Sequence, residues 1–190
     1  MASLRLNAVE AVVVLSLAAS PVLAQPAPPA PLATPDPAYV SIVLEQEVER
    51  PAAEVWKRVG GFCDMRTWFP GARCEISSGK DGELGAVRTL NGSIQEILVG
   101  RTELSYTYTQ PARVGQPYNL YHGTLEARPV TATTSKLIYS LVHDQSMLAG
   151  DAARKADLDS SRAITTRVLR NMKILAEGGT LPSPARPAGR

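Results

Sequence analysis

Between residues 39 and 49 apolar and polar positions alternate: Val40, Ile42, Leu44 and Val48 fall on one side, Ser41, Glu45, Glu47 and Glu49 mostly on the other. A period of two with β-branched residues predicts a strand. The pattern then switches. Arg50-Pro51-Ala52-Ala53-Glu54 puts proline at a first helical position and an acid in the first turn, with Val55, Trp56 and Val59 facing inward and Gly60-Gly61 as the stop. A second short helical turn is predicted over 62–69, ended by Pro70-Gly71. Strands follow at 73–77, 85–90, 93–99, 103–110, 118–128 and 135–144, divided by turn signals at Lys80-Asp81-Gly82 and Asn91-Gly92 and by a loop over 111–117. In the last strand Leu137, Tyr139, Leu141 and His143 share one face, and Lys136, Ser140 and Asp144 the other. A long helix opens at Gly150-Asp151, with Asp151 as the expected cap, and stops at Gly178-Gly179. Its predicted core side carries Ala152, Ala156, Ala163, Ile164, Val168, Met172 and Leu175; Arg154, Asp157, Arg162, Arg170 and Lys173 form the solvated side.

This order predicts an α+β fold: a curved antiparallel sheet of about seven strands around one long C-terminal helix, with two short helices after the first strand. Such a sheet twists and curls. One helix does not fill its hollow side, so a cavity is expected between the two.

The chain has 190 residues, too few for two ordinary domains once its ends are set aside. Residues 1–24 read as a secretory signal: Arg5 precedes an apolar run over 11–19, and Val22-Leu23-Ala24 offers small residues for cleavage. The competing reading, a membrane anchor, meets a run well short of the ~20 residues that span a bilayer. No cysteine follows the cleavage position, so a lipid-modified N-terminus is not indicated. Residues 25–37 form a Pro/Ala-rich linker, 38–179 the folded domain and 180–190 a Pro-rich tail. The expected location is periplasmic or secreted. Net charge is +2 with charges interspersed, and the absence of a basic stripe argues against a nucleic-acid partner. No segment after the signal is apolar enough to cross a membrane.

In an exported chain the two cysteines, Cys63 and Cys74, favour a disulfide over two buried thiols. Two cysteines and two distant histidines do not cluster as metal ligands do, so no metal is expected. No phosphate-cradling glycine loop or repeat is present, and no cofactor is expected.

The ordered set of segments resembles the helix-grip (SRPBCC) superfamily of START-related lipid-transfer domains, birch-pollen-allergen-like proteins, polyketide cyclases and plant abscisic-acid receptors. The likeness spans about 48–177. It rests on Arg50-Pro51-Ala52-Ala53-Glu54-Val55-Trp56, Phe62-Cys63-Asp64-Met65 with Trp68-Phe69-Pro70, Gly85-Ala86-Val87-Arg88-Thr89-Leu90, Glu96-Ile97-Leu98, Tyr106-Thr107-Tyr108, Tyr121-His122-Gly123-Thr124-Leu125, Ser135-Lys136-Leu137-Ile138-Tyr139-Ser140 and Asn171-Met172-Lys173-Ile174-Leu175. The resemblance implies a pocket between sheet and long helix. It places Glu96, Tyr121 and Asn171 on pocket positions of the receptors, Tyr139 where they carry a glutamate, and Arg167 one turn before Asn171. The receptors' carboxylate-binding lysine has no counterpart; Trp68-Phe69-Pro70-Gly71 occupies that region, and their gating loop is cut to Asn91-Gly92. Hormone sensing is therefore not carried over.

The candidate chemistry follows. Glu96 shares a face with Ile94 and Leu98, and is read as a cavity carboxylate with a raised pKa, as a partner of Arg88 or Arg167, or as a glutamate facing water. Arg88 and Arg167 suit a ligand carboxylate or phosphate. Tyr106, Tyr108, Tyr121 and Tyr139 form an aromatic set with polar tips, suited to a flat ligand or to plain sheet packing. His122 is expected to point outward and His143 to reach the pocket edge, neither with a nucleophile at triad spacing. Asn91-Gly92-Ser93 matches a glycosylation acceptor but reads first as a hairpin. The expected function is an exported carrier or binder of a hydrophobic or amphipathic small molecule. The alternative is a polyketide cyclase/dehydratase-like enzyme with Glu96 as acid or base and Tyr121 or Arg167 stabilising the oxyanion.

Overall fold

In the computed structural model, residues 36–112 and 118–182 are described; the signal, nearly all of the linker, most of the 111–117 loop and most of the tail lie outside them. The elements run β1 (Tyr39–Val48), α1 (Ala52–Val59), α2 (Met65–Trp68), β2 (Cys74–Ser78), β3 (Val87–Leu90), β4 (Ile94–Arg101), β5 (Ser105–Thr109), β6 (Tyr121–Pro129), β7 (Ser135–Asp144) and α3 (Gly150–Ala176). The seven strands form one sheet in the order β1-β7-β6-β5-β4-β3-β2. Every pairing is antiparallel. The sheet is open and curved, and the helices cover one face, as expected from the order of patterns.

The register fixes which residues meet on the covered face. Ile42 opposes Leu141 and Leu44 opposes Tyr139. Leu125 opposes Tyr139 on one side and Tyr106 on the other, and Leu98 opposes Tyr108. Ile42, Leu98, Tyr106, Tyr108, Leu125 and Leu137 are buried there with Val55, Val59 and Phe62 of the α1 region and with Val168, Leu169, Met172 and Ala176 of α3. Each such side chain removed from water contributes on the order of 1.5–3 kcal/mol. Two backbone devices make the layout possible. Asn91 and Gly92 both take positive φ (50° and 77°), as a tight two-residue hairpin between β3 and β4 requires. Gly123 has no Cβ because the Tyr108 ring lies in that space.

Cys63 and Cys74 are joined, with Cα atoms 5.6 Å apart, tying the α1–α2 turn to the start of β2. Trp68 Nε1 donates to the Val59 carbonyl at 3.2 Å, and Asn171 Nδ2 of α3 donates to the Trp68 carbonyl at 2.9 Å. The short α2 is thus pinned from three sides. Replacing both cysteines by serine should cost about 2–3 kcal/mol on the chain-entropy model and lower the melting temperature by roughly 4–12 °C; calorimetry with and without reductant checks this.

The long helix departs from its sequence reading in three ways. Its N-cap is Ala149, with no capping side chain, and Asp151 falls in the first turn instead. There its charge still complements the helix dipole. The buried positions are Thr165, Val168, Leu169, Met172 and Ala176, while Ala152, Ala156, Ala163 and Ile164 are exposed. A step of four residues overshoots a full turn by about 40°, so a series of such steps sweeps around the helix rather than marking one stripe. Asp157, assigned to the solvated side, faces the sheet. Tyr118 Oη donates to its Oδ1 at 2.5 Å, Gln145 Nε2 donates to its Oδ2 at 2.8 Å, and His143 Nε2 lies 2.9 Å from Oδ2. Burial opposes the Asp157 charge, but these donors outweigh it and hold the carboxyl below its ordinary range. The N-terminal half of α3 is therefore held by a polar cluster and its C-terminal half by apolar packing.

Candidate functional site

Between the sheet and the helices lies a cavity of about 260 Å³. Its roof is Ser161, Ile164, Thr165 and Val168 of α3, and one flank is Met65, Trp68 and Phe69 of the α2 region. The wall is the sheet, which contributes Arg88, Ile94, Glu96, Tyr108, Tyr121, Tyr139 and Leu141. Strand alternation turns these side chains inward.

Arg88 and Glu96 are directly opposed on β3 and β4. Arg88 Nε donates to Glu96 Oε2 at 2.7 Å and Nη2 lies 2.5 Å from the same oxygen. Arg88 Nη1 donates to the Phe62 carbonyl, and Gln110 Nε2 donates to Glu96 Oε1 at 3.1 Å. The pair is nearly inaccessible, at 1 % and 4 % side-chain exposure. Its guanidinium carbon stands 4.2 Å from the Phe62 ring centre and 4.9 Å from that of Tyr108, so the rings add cation–π attraction. Burial alone would depress the Arg88 pKa; the fields of Tyr106 and Glu96 reverse this and keep the guanidinium charged. Of the readings for Glu96, pairing with Arg88 is the one observed.

Beside this pair, Tyr108 Oη and Tyr139 Oη are hydrogen-bonded at 2.8 Å. Tyr121 lies against Tyr108, with ring centres 6.4 Å apart, and stacks on His143 at 5.6 Å and 25°. Burial pushes the Tyr108 and Tyr139 hydroxyls well above the ordinary phenol range, and Tyr121 up to about 12. The cavity thus presents protonated hydroxyls at any physiological pH. The sign of the linkage follows. A folded-state pKa above the unfolded value contributes stability that is complete below about pH 10 and is lost as pH rises through the folded-state values. Tyrosinate absorbance should therefore show a large part of the six tyrosines silent up to about pH 12, with urea midpoints falling from pH 10 upward. Titration of the whole set near pH 10 in folded protein would contradict this.

The structure brings Arg88, Glu96, Tyr108, Tyr121 and Tyr139 together at this cavity and leaves three expected residues outside its lining. Tyr106 turns to a separate concavity of about 330 Å³, bordered by Trp56, Asp64, Gly82 and Arg101. The Phe62 and Tyr106 rings, edge to face at 5.4 Å, stand beside Arg88 between the two spaces. This second concavity is lined by both signs of charge and holds none of the other tyrosines; the smaller cavity carries the expected chemistry. Asn171 spends its amide on the Trp68 carbonyl, because α2 fills the space before it. Arg167 is exposed and stands over the Phe69 ring at 5.4 Å. His143 is wholly buried behind Tyr121 and bonded to Asp157. His122 pairs with Thr109 and Val142, on the opposite face from Tyr121. Asn91, at its hairpin, accepts through Oδ1 from the backbone amide of Arg73 just before β2.

Gln110 was not anticipated as a partner of Glu96. The sequence does carry a signal for it: 106, 108 and 110 share a phase on the strand expected over 103–110. The Phe62 carbonyl carries no such signal. No group of residues suited to a metal ion occurs among the described residues, and none of their helices is long and apolar enough to cross a membrane.

Comparison with known proteins agrees with this geometry. Residues 39–177 match the family model described as polyketide cyclase/dehydrase and lipid transport. A protein of Thermobifida fusca is similar over 75 % of this chain and 97 % of its own, at TM-score 0.62 and 20 % identity. One from Nitrosospira multiformis is similar over 70 % and 94 %, at TM-score 0.57 and 24 % identity. Truncated norcoclaurine synthase from Thalictrum flavum is similar over 78 % of this chain and all of its own, at TM-score 0.59 and 14 % identity. At these identities the likeness is one of fold. No curated protein matches the sequence.

Proposed function

This chain belongs to the polyketide cyclase/dehydrase and lipid transport family, and from that premise we propose that it is an exported carrier of a small hydrophobic or amphipathic molecule held between the sheet and α3. The observation that carries the reading is an aliphatic and aromatic cavity of about 260 Å³ with a few convergent polar groups at one wall, the usual composition of a small-molecule site. The volume lies just under the ~300–1,000 Å³ common for such sites, which favours a compact ring compound or a short single chain over a two-chain lipid. Export rests on the sequence pattern of residues 1–24.

The arrangement supports holding more than turnover. A general acid or base needs a free proton-transfer atom near the substrate, whereas both Glu96 oxygens are engaged, one by Arg88 and one by Gln110. Trp68 borders the cavity and is 2 % exposed, so its fluorescence reports occupancy. In a Trp56→Phe background, a panel of compact hydrophobic compounds should contain members that shift the Trp68 emission saturably and raise the melting temperature. A panel without effect on either would sink the carrier reading. Turnover lost in Glu96→Gln with binding retained would favour the cyclase alternative.

A further inference from the structure

We propose, resting on that ligand-holding reading, that the cavity selects an uncharged ligand, a compact ring compound bearing a hydroxyl or carbonyl group, and rejects its carboxylate analogue. Among the described residues of the lining, the charged side chains are Arg88 and Glu96, and they neutralise each other within the wall. Arg88 directs Nε and Nη2 at Glu96 and Nη1 at the Phe62 carbonyl. Its faces are flanked by the Phe62 and Tyr108 rings. Glu96 gives its second oxygen to Gln110. Among the described residues of the lining, the one cation already has its counter-charge in Glu96, so no unbalanced positive charge is left to receive an anion. A carboxylate entering this space would give up its water without gaining a counter-charge, the most unfavourable kind of burial.

The groups that remain are neutral. In the Tyr108–Tyr139 pair one hydroxyl donates to the other, which leaves one proton and acceptor lone pairs for a third group. Tyr121, Ser161 and Thr165 add further hydroxyls around the same space. A ring hydroxyl or carbonyl satisfies such a set.

The test uses two probes of one shape, 2-naphthol and 2-naphthoate, titrated by Trp68 emission near neutral pH in the same Trp56→Phe background. The unaltered cavity is expected to bind the naphthol at least about tenfold more tightly, a difference of about 1.4 kcal/mol. Glu96→Gln removes the counter-charge and should raise naphthoate affinity at least about tenfold by exposing the Arg88 cation. Equal or tighter naphthoate binding by the unaltered cavity overturns the inference and leaves the carrier reading intact. So does a folded Glu96→Gln protein that gains nothing for naphthoate. If neither probe binds, this inference is overturned, while the carrier reading then stands or falls on the wider panel. If Glu96→Gln folds poorly, the comparison in the unaltered cavity still decides. Arg88→Met combined with Glu96→Leu, which is also uncharged, should reject naphthoate as the parent does, and acceptance by it would equally overturn the inference.

Discussion

Arg88→Ala is expected to destabilise the fold by about 3–5 kcal/mol, because it strips the partner from a buried carboxylate. That is a large share of the ~5–15 kcal/mol that holds a domain folded. Glu96 is 3 % exposed and cannot turn to water, while the Phe62 carbonyl loses its donor at the same time. The double change Arg88→Met with Glu96→Leu behaves differently. It replaces the pair with apolar groups of similar volume, and such replacements are commonly neutral or stabilising by about 1–4 kcal/mol. Urea denaturation of the two singles and the double closes a cycle whose coupling should be large. A harmless Arg88→Ala would mean that water reaches the pair. The implication for function is direct: apolar residues would serve stability as well at these positions, so the charged pair points to a role in the cavity.

Val168→Phe is the second large effect, and it falls on binding. Val168 is 3 % exposed on α3 and borders the cavity. A phenyl ring there projects into space already empty, so the overpacking cost of about 1–3 kcal/mol seen in filled cores should be largely avoided. Ligand affinity should fall by at least about tenfold, or about 1.4 kcal/mol, while the urea midpoint stays near or above its parent value. Loss of stability with ligand affinity unchanged would place the ligand elsewhere. The two variants thus separate the pair that shapes the wall from the volume that the wall encloses.

Strand phase was legible in the sequence because a period of two leaves one choice of face. Glu96 with Ile94 and Leu98, the tyrosines at 106 and 108, and Tyr139 with Leu137 and Leu141 all turned to the covered side as read. Asn91-Gly92 marked its hairpin because few other pairs accept positive φ at both positions. The helix was read less well. With 3.6 residues per turn, Ala152, Ala156 and Ala163 lie about 120–180° around the helix from the buried Val168 and Met172, and Thr165, also buried, carries no apolar signal. Asp157 was set on the solvated side because nothing local to it reveals Tyr118, His143 and Gln145, which the fold brings from β7 and the segments beside it. Arg167 and Asn171 came from the family resemblance. In this chain Asn171 bonds the Trp68 carbonyl and Arg167 stands over the Phe69 ring, so the α2 region takes the contacts that the resemblance gives to a ligand.

Native mass spectrometry of the protein purified from its own host tests the central claim most directly. A small noncovalent adduct, released on denaturation and missing from Val168→Phe, is the predicted result. A bare chain mass, together with no thermal shift against any compact hydrophobic compound, would contradict it.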